Sequence, residues 1–114
     1  MGVAVGAAAG AVARYLVAQA LHARAARFPW ATLAVNVTGS FALGLVIGLG
    51  LPAGARAVVG TGFVGAFTTF STFALDLVRT AEDAGARPAT GYVAANVVGG
   101  LAACAAALAL TGAL

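Results

Sequence analysis

The chain has 114 residues, of which 62% are hydrophobic and only 8% are charged, and its mean hydropathy is +1.03. A soluble domain carries about 25% charged residues, so this composition excludes a soluble domain and indicates an integral membrane protein. Each membrane-spanning helix needs roughly 20 apolar residues. The length therefore predicts one all-α domain over residues 1–114 with four spans.

The net charge of +3 is the balance of six arginines against three acidic residues, and the chain contains no lysine. A basic balance can indicate nucleic-acid binding. Here the arginines are scattered over short loops, so we expect topology determinants and contacts with lipid head groups, and no nucleic-acid partner. The single cysteine, Cys104, cannot form an intrachain disulfide, and the N-terminal sequence lacks the pattern of a cleaved signal peptide.

Four apolar stretches separated by short loops predict the spans in chain order, at about residues 2–21, 30–51, 57–78 and 89–114. Trp30 stands at the mouth of the second span, where interfacial aromatic residues are enriched. An even number of spans places both termini on the same side of the membrane.

Three of the spans carry small and polar residues four apart, which places them on one helix face. These sets are Gly2, Gly6, Gly10 and Arg14 in the first span, Thr32, Asn36, Ser40, Gly44 and Gly48 in the second, and Tyr92, Asn96, Gly100 and Cys104 in the fourth. Close helix packing is the favoured interpretation of the glycines. A carboxamide in hydrocarbon needs polar partners, and a pore-lining role is favoured for Asn36.

Arg14 is the charge that lies well inside a span. One interpretation is that the side chain reaches the membrane interface or acts as a topology signal. The other is that it provides a fixed positive charge near the vestibule of an anion pathway. Asp76, near the end of the third span, is the nearest candidate partner for it.

The third span contains the segment Gly-Thr-Gly-Phe-Val-Gly-Ala-Phe-Thr-Thr-Phe-Ser-Thr-Phe at residues 60–73. Its centre has poor helix propensity, and irregular backbone at membrane depth is tolerated only inside protein or along a polar cavity. We therefore expect a break around Gly65–Thr69 and an ion or substrate site beside it. Freed carbonyl oxygens there suit a small alkali cation. The ring edges of Phe70 and Phe73 could contact a small anion, although core packing is the plainer interpretation of both rings.

These residues resemble the Fluc (CrcB-type) fluoride channels over the whole chain. The resemblance is carried by Gly-Ala-Val-Ala-Arg-Tyr at residues 10–15, by Thr-Leu-Ala-Val-Asn-Val-Thr-Gly-Ser-Phe at residues 32–41 and by the Gly62–Phe73 segment of the third span. The fourth span matches more loosely, through Tyr92.

The resemblance implies a passive, selective channel that exports cytoplasmic fluoride across a bacterial plasma membrane. It further implies an antiparallel, dual-topology dimer with two fluoride pathways and a central structural sodium ion, bound by the backbone carbonyls of Gly65 and Thr68 of both subunits. The pathway residues it implies are Asn36, Thr32, Phe70, Phe73, Ser71, Thr72, Arg14, Tyr92 and Asn96. Asn96 stands where the family commonly has a serine, and Gly100 stands one turn later, where a second serine can occur.

Two alternatives remain open at this stage. Arg24, Arg27, Arg79 and Arg87 lie on one predicted side of the membrane, and Arg56, with Arg14 if it is counted, lies on the other. This bias favours one fixed orientation, and hence a subunit that pairs with a homologous, oppositely oriented chain and does not conduct alone.

A small multidrug-type transporter is also a four-span antiparallel dimer, but it needs a titratable carboxylate deep in a span, and the first span has none. We expect no enzyme, because no nucleophile is arranged with a base.

Overall fold

The computed structural model describes residues 1–22 and 28–114, and every element in this part of the chain is helical. In chain order these are α1 (Gly2–Leu21), α2 (Trp30–Gly48), α3 (Ala53–Arg56), the π-helical segment π1 (Ala57–Val64), α4 (Gly65–Phe67), α5 (Ser71–Ala84) and α6 (Ala86–Leu110). Arg24 and Arg27, in the predicted basic loop, lie outside the described residues.

Four helices are long and apolar enough to cross a membrane, which confirms the predicted number of spans. They cover Gly2–Leu21, Trp30–Gly48, Ala53–Ala84 and Ala86–Leu110. The third span (Ala53–Ala84) is longer than the predicted 57–78, because its first helix begins directly after Pro52 and its last helix, α5, ends at Ala84.

Glycines in the left-handed backbone region separate the spans. Gly50 has φ +60° between the second and third spans, and Gly85 has φ +95° between α5 and α6. This region is strained for a residue with a Cβ atom, so each glycine lets a helix end within one or two residues. Short connections of this kind keep consecutive helices adjacent and antiparallel.

The helices of the first and third spans approach at their glycines. A Cβ atom on Gly6 would collide with the Val58 carbonyl oxygen, and one on Gly10 would collide with the Phe63 carbonyl oxygen. The glycine spacing of the first span therefore serves backbone-to-backbone packing of α1 against π1, as its sequence pattern indicated. π-helical turns are rare and are frequently found at functional sites, and π1 is followed by α4, after which the third span breaks.

The second and fourth spans pack through their small and polar faces. A Cβ atom on Gly44 would meet the backbone of Cys104, and one on Gly100 would meet the side chain of Ser40. Tyr92 and Asn96 are both buried on the face of α6 that contacts α2. The two polar stripes predicted from the sequence therefore face each other inside the protein, and this contact positions the candidate site.

Candidate functional site

The third span breaks near its middle. α4 ends at Phe67, Thr68 is extended (φ −77°, ψ 161°), and α5 begins at Ser71. The predicted interruption around Gly65–Thr69 is confirmed, since Thr68 lies within that range, although Gly65 itself stays helical (φ −60°, ψ −37°). The break therefore begins three residues after the glycine that the sequence pattern put at its start.

Side-chain oxygens accept two backbone N–H groups that would donate to backbone carbonyls in a continuous helix. Thr69 N–H donates to Asn36 Oδ1 at 2.9 Å, and Thr72 N–H donates to Thr69 Oγ1 at 3.2 Å. In an α-helix these two groups would donate to the carbonyls of Gly65 and Thr68. Both carbonyl oxygens have therefore lost their helical donors, and Gly65 lies exposed on the outer face of the chain. Carbonyl oxygens freed in this way are suitable ligands for a hard cation.

The two asparagines of the polar stripes meet beside the break. Asn36 Nδ2 donates to Asn96 Oδ1 at 3.0 Å, and Asn96 Nδ2 donates to the Tyr92 carbonyl oxygen at 2.9 Å. Together with the Thr69 bond, these contacts connect α2, α6 and the start of α5. Each carboxamide thus has the polar partners that a membrane interior requires.

Tyr92 has a buried hydroxyl without a partner. The residue is 0% exposed, and its hydroxyl oxygen makes no hydrogen bond to any described residue. Its ring stacks on Phe73 (centroids 5.3 Å apart) and meets Phe28 edge to face (5.6 Å). An unsatisfied buried hydroxyl costs about 1–3 kcal/mol, and such groups in native proteins commonly mark a functional site.

Asp76 has a partner that the sequence did not indicate. The sequence made it the nearest candidate partner for Arg14, whereas in the structure Thr32 Oγ1 donates to Asp76 Oδ2 at 2.6 Å. Asp76 and Thr32 both line a cavity of about 1060 Å³ beside Arg79 and Thr80. Thr72, Asp76 and Thr80 are four residues apart, so the spacing rule that identified the other stripes would have found this face of α5 as well.

Arg14 is half-buried and lines a second cavity of about 300 Å³, together with Thr32, Thr69 and Thr72. The structure therefore brings the predicted arginine next to the hydroxyl residues of the break. Because Thr32 lines both cavities, it connects the Arg14 side of the site to the Asp76 side.

Phe70 and Ser71 are not brought into this cluster. Phe70 is 79% exposed, and Ser71 is exposed beside it. The Phe70 ring lies 5.8 Å from Phe73, centroid to centroid, so the aromatic row runs from the outer face inward through Phe73 to Tyr92. Within one chain, the predicted site residues divide into an internal set and an outer set that contains Phe70, Ser71 and the Gly65 backbone.

Comparison with known proteins supports the resemblance to the CrcB-type family over nearly the whole chain. Residues 1–108 match the family described as CrcB-like protein, Camphor Resistance (CrcB). The chain is 47% identical over 114 residues to the fluoride-specific ion channel FluC of Sphingopyxis alaskensis, covering 95% of this chain and 90% of that protein. It is 48% identical over 95 residues to the fluoride-specific ion channel FluC 2 of Mycobacterium tuberculosis (82% of this chain, 75% of that protein).

A third relative is the fluoride-specific ion channel FluC 1 of Geobacillus kaustophilus, which is 44% identical over 99 residues (87% of this chain, 85% of that protein). The relatives are bacterial, which fits a multi-pass protein of a bacterial plasma membrane with the four spans described above. The chain belongs to the CrcB-like family.

Proposed function

We propose that this chain is a subunit of a passive fluoride channel. The observation that carries the proposal is the buried hydroxyl of Tyr92, which has no hydrogen-bond partner among the described residues and lies beside the Asn36–Asn96 amide pair. Hydroxyl and amide N–H groups are donors, and hydrogen bonds to an ionised acceptor are the strong ones. A small anion such as fluoride would provide the acceptor that the Tyr92 hydroxyl lacks, and the relatives named above are fluoride-specific ion channels.

The proposed pathway follows the internal set of residues past the break. Arg14 would raise the local anion concentration at one side, and the hydroxyls and amides would then replace water around the ion in several weak steps, as conduction requires. Thr32 donates to Asp76, so the carboxylate is partly screened where the pathway would widen. The internal pathway residues are Arg14, Thr32, Asn36, Thr72, Phe73, Tyr92 and Asn96, and the outer residues Phe70 and Ser71 would line the pathway where a second subunit encloses them.

Phe70 and Phe73 would line the pathway through their ring edges. The edge of a phenyl ring is electropositive, so it attracts an anion without the strong binding that would stop conduction. Phe73 is held against Tyr92, whereas Phe70 projects from the chain. For the projecting ring to line an ion pathway and not face lipid, a second subunit must enclose it, which supports the proposal that the channel is a dimer.

A sodium ion fits the freed carbonyls of Gly65 and Thr68. One chain offers two such oxygens, and an antiparallel second copy, packed on the face that exposes Gly65 and Phe70, would offer two more. The bound ion would join the two broken helices and add positive potential at the centre of the membrane. This arrangement is proposed from the lost helical donors of the two carbonyls.

The transport would be passive. Neutral hydrogen fluoride crosses membranes from acidic surroundings and ionises in the cytoplasm. An open anion path would let the membrane potential drive fluoride out and lower its toxic load.

The alternative is an obligate heterodimer, in which this chain conducts only with a homologous partner of opposite orientation. It is favoured by the arginine bias, four residues against one or two, because a chain that inserts both ways should show little bias.

The test is fluoride efflux from liposomes that contain the purified chain alone, measured with a fluoride electrode beside a chloride control. Phe70→Ile should abolish efflux, while Leu101→Ala, a truncation at a similarly exposed position (68%) on α6, should not. No efflux from folded protein, with efflux restored by co-expression of a homologous chain, would establish the heterodimer. No efflux in either preparation would show that the fluoride proposal is wrong.

A further inference from the structure

The contacts around Asn96 form a directional chain of hydrogen bonds, which we call the amide relay: Thr69 N–H, the Asn36 carboxamide, the Asn96 carboxamide and the Tyr92 carbonyl. Its three bonds measure 2.9, 3.0 and 2.9 Å. The relay begins at the break in the third span, crosses α2 and ends on α6.

The two ends of the relay fix the orientation of both carboxamides. A backbone N–H can only donate, and a backbone carbonyl can only accept. If the Asn36 amide turned over, its NH₂ group would face the Thr69 N–H. If the Asn96 amide turned over, its NH₂ group would face Asn36 Nδ2 and its oxygen would face the Tyr92 carbonyl. Either change would replace attraction by repulsion inside the membrane.

We propose that Asn96 is a positioning residue, which holds the Asn36 carboxamide so that its oxygen caps the Thr69 N–H and its remaining N–H faces the pathway. Asn36 is only half-buried, whereas Asn96 is buried. Asn96 is therefore the fixed partner, and without it Asn36 keeps only the bond to a loop residue. Fixed orientation of donors lowers the reorganisation needed when an ion arrives.

This inference rests on the proposed function only for its consequence in conduction, so the positioning is tested separately. The direct readout is the exchange rate of the Thr69 amide hydrogen, followed by NMR on protein labelled with ¹⁵N-threonine. Thr80, which is buried in helix α5 and takes no part in the relay, provides the internal reference. Local exchange reports the opening of individual hydrogen bonds without global unfolding.

Two variants of similar shape separate the hydrogen bond from packing. Asn96→Leu removes the acceptor that Asn36 Nδ2 uses. Asn96→Asp keeps it in the neutral form, which burial favours, because the carboxyl O–H then donates to the Tyr92 carbonyl in place of Asn96 Nδ2. We expect exchange at Thr69 to rise about tenfold in Asn96→Leu, the order expected for one lost hydrogen bond, and to stay near the wild-type rate in Asn96→Asp. Ser40→Ala is the matched control, because Ser40 Oγ donates to the Asn36 backbone carbonyl at 2.8 Å and not to the relay.

Unchanged exchange at Thr69 in Asn96→Leu, or an equal rise in Ser40→Ala, would overturn the proposal. If Asn96→Asp does not fold, the comparison of Asn96→Leu with Ser40→Ala decides the question. Fluoride efflux is then measured on the same preparations, where Asn96→Leu should lose most of the rate and Ser40→Ala should not. Normal efflux in Asn96→Leu would overturn the link to conduction. If the wild-type chain shows no efflux, the proposed function is contradicted. Hydrogen exchange at the Thr69 amide then tests by itself whether Asn96 positions Asn36.

Discussion

The backbone N–H of Thr69 donates to Asn36 Oδ1 at 2.9 Å, so the break in the third span is capped by a side chain of the second span. In lipid, every backbone polar group needs a partner from protein or from a polar cavity. The cap from Asn36 lets α5 begin after the break without leaving Thr69 N–H unpaired. Because this N–H donates to Asn36, the Gly65 carbonyl oxygen is left without its helical donor.

We predict that Asn36→Ala destabilises the protein and stops fluoride efflux. The change leaves the Thr69 N–H and Asn96 Oδ1 without partners, and each unpaired buried group costs about 1–3 kcal/mol. Thermal unfolding in detergent and liposome efflux measure the two effects. Thr38→Ala is the control on the same helix, because Thr38 is exposed and its hydroxyl donates only to the Ala34 carbonyl. Equal unfolding temperatures for the two variants would contradict the capping role.

The number and order of the spans could be predicted from the sequence, because hydropathy over about 20 residues is a local property. The glycine contacts of the first span also followed from their spacing, since residues four apart share a face. The approximate position of the break followed too, because poor helix propensity indicated the range 65–69. Its exact start did not follow, because the Thr69 N–H donates to Asn36 Oδ1 and that bond depends on a residue 33 positions away.

The pairings within the site were likewise beyond the sequence. Asn36 and Asn96 were each expected to need polar partners, but nothing local indicated that they partner each other. Asp76 was paired with Arg14 by charge, whereas the structure pairs it with Thr32. Which helix faces meet is a tertiary property, and the phenylalanines show this too: Phe73 packs inside on Tyr92, and Phe70 lies outside.

We predict that Thr32→Val lowers the fluoride efflux rate several-fold. The hydroxyl donates to Asp76 Oδ2 at 2.6 Å, and hydrogen bonds to charged groups contribute about 1.5–3 kcal/mol. Without this donor the carboxylate would repel an anion near Tyr92 more strongly. Thr90→Val is the matched control, since Thr90 is exposed and donates only to the Ala86 carbonyl. A Thr32→Val channel with the wild-type rate would show that Asp76 does not influence the pathway.

We predict that Gly10→Ala destabilises the protein by about 1–3 kcal/mol, the usual effect of overpacking. The new methyl group would collide with the Phe63 backbone, which cannot move without shifting π1. Gly91→Ala is the matched control, because nothing lies within 4 Å of a Cβ atom at that exposed helical position. It should leave stability unchanged or raise it by up to about 1 kcal/mol through helix propensity. Thermal unfolding of both variants measures the difference, and similar losses in the two would show that α1 does not pack closely on π1.

We predict that sodium stabilises the assembled protein against unfolding and dissociation. If the carbonyls of Gly65 and Thr68 from two chains bind the ion, removing it leaves four buried oxygens without ligand or donor at the centre of the dimer. A ligand at 100 times its Kd adds about 2.7 kcal/mol of stability. The unfolding temperature and oligomeric state should therefore fall when sodium is exchanged for N-methylglucamine at equal ionic strength. The monomeric fraction of any preparation provides the control, since half a site should not respond. Equal stability of the dimer in both salts would argue against a structural sodium at the break.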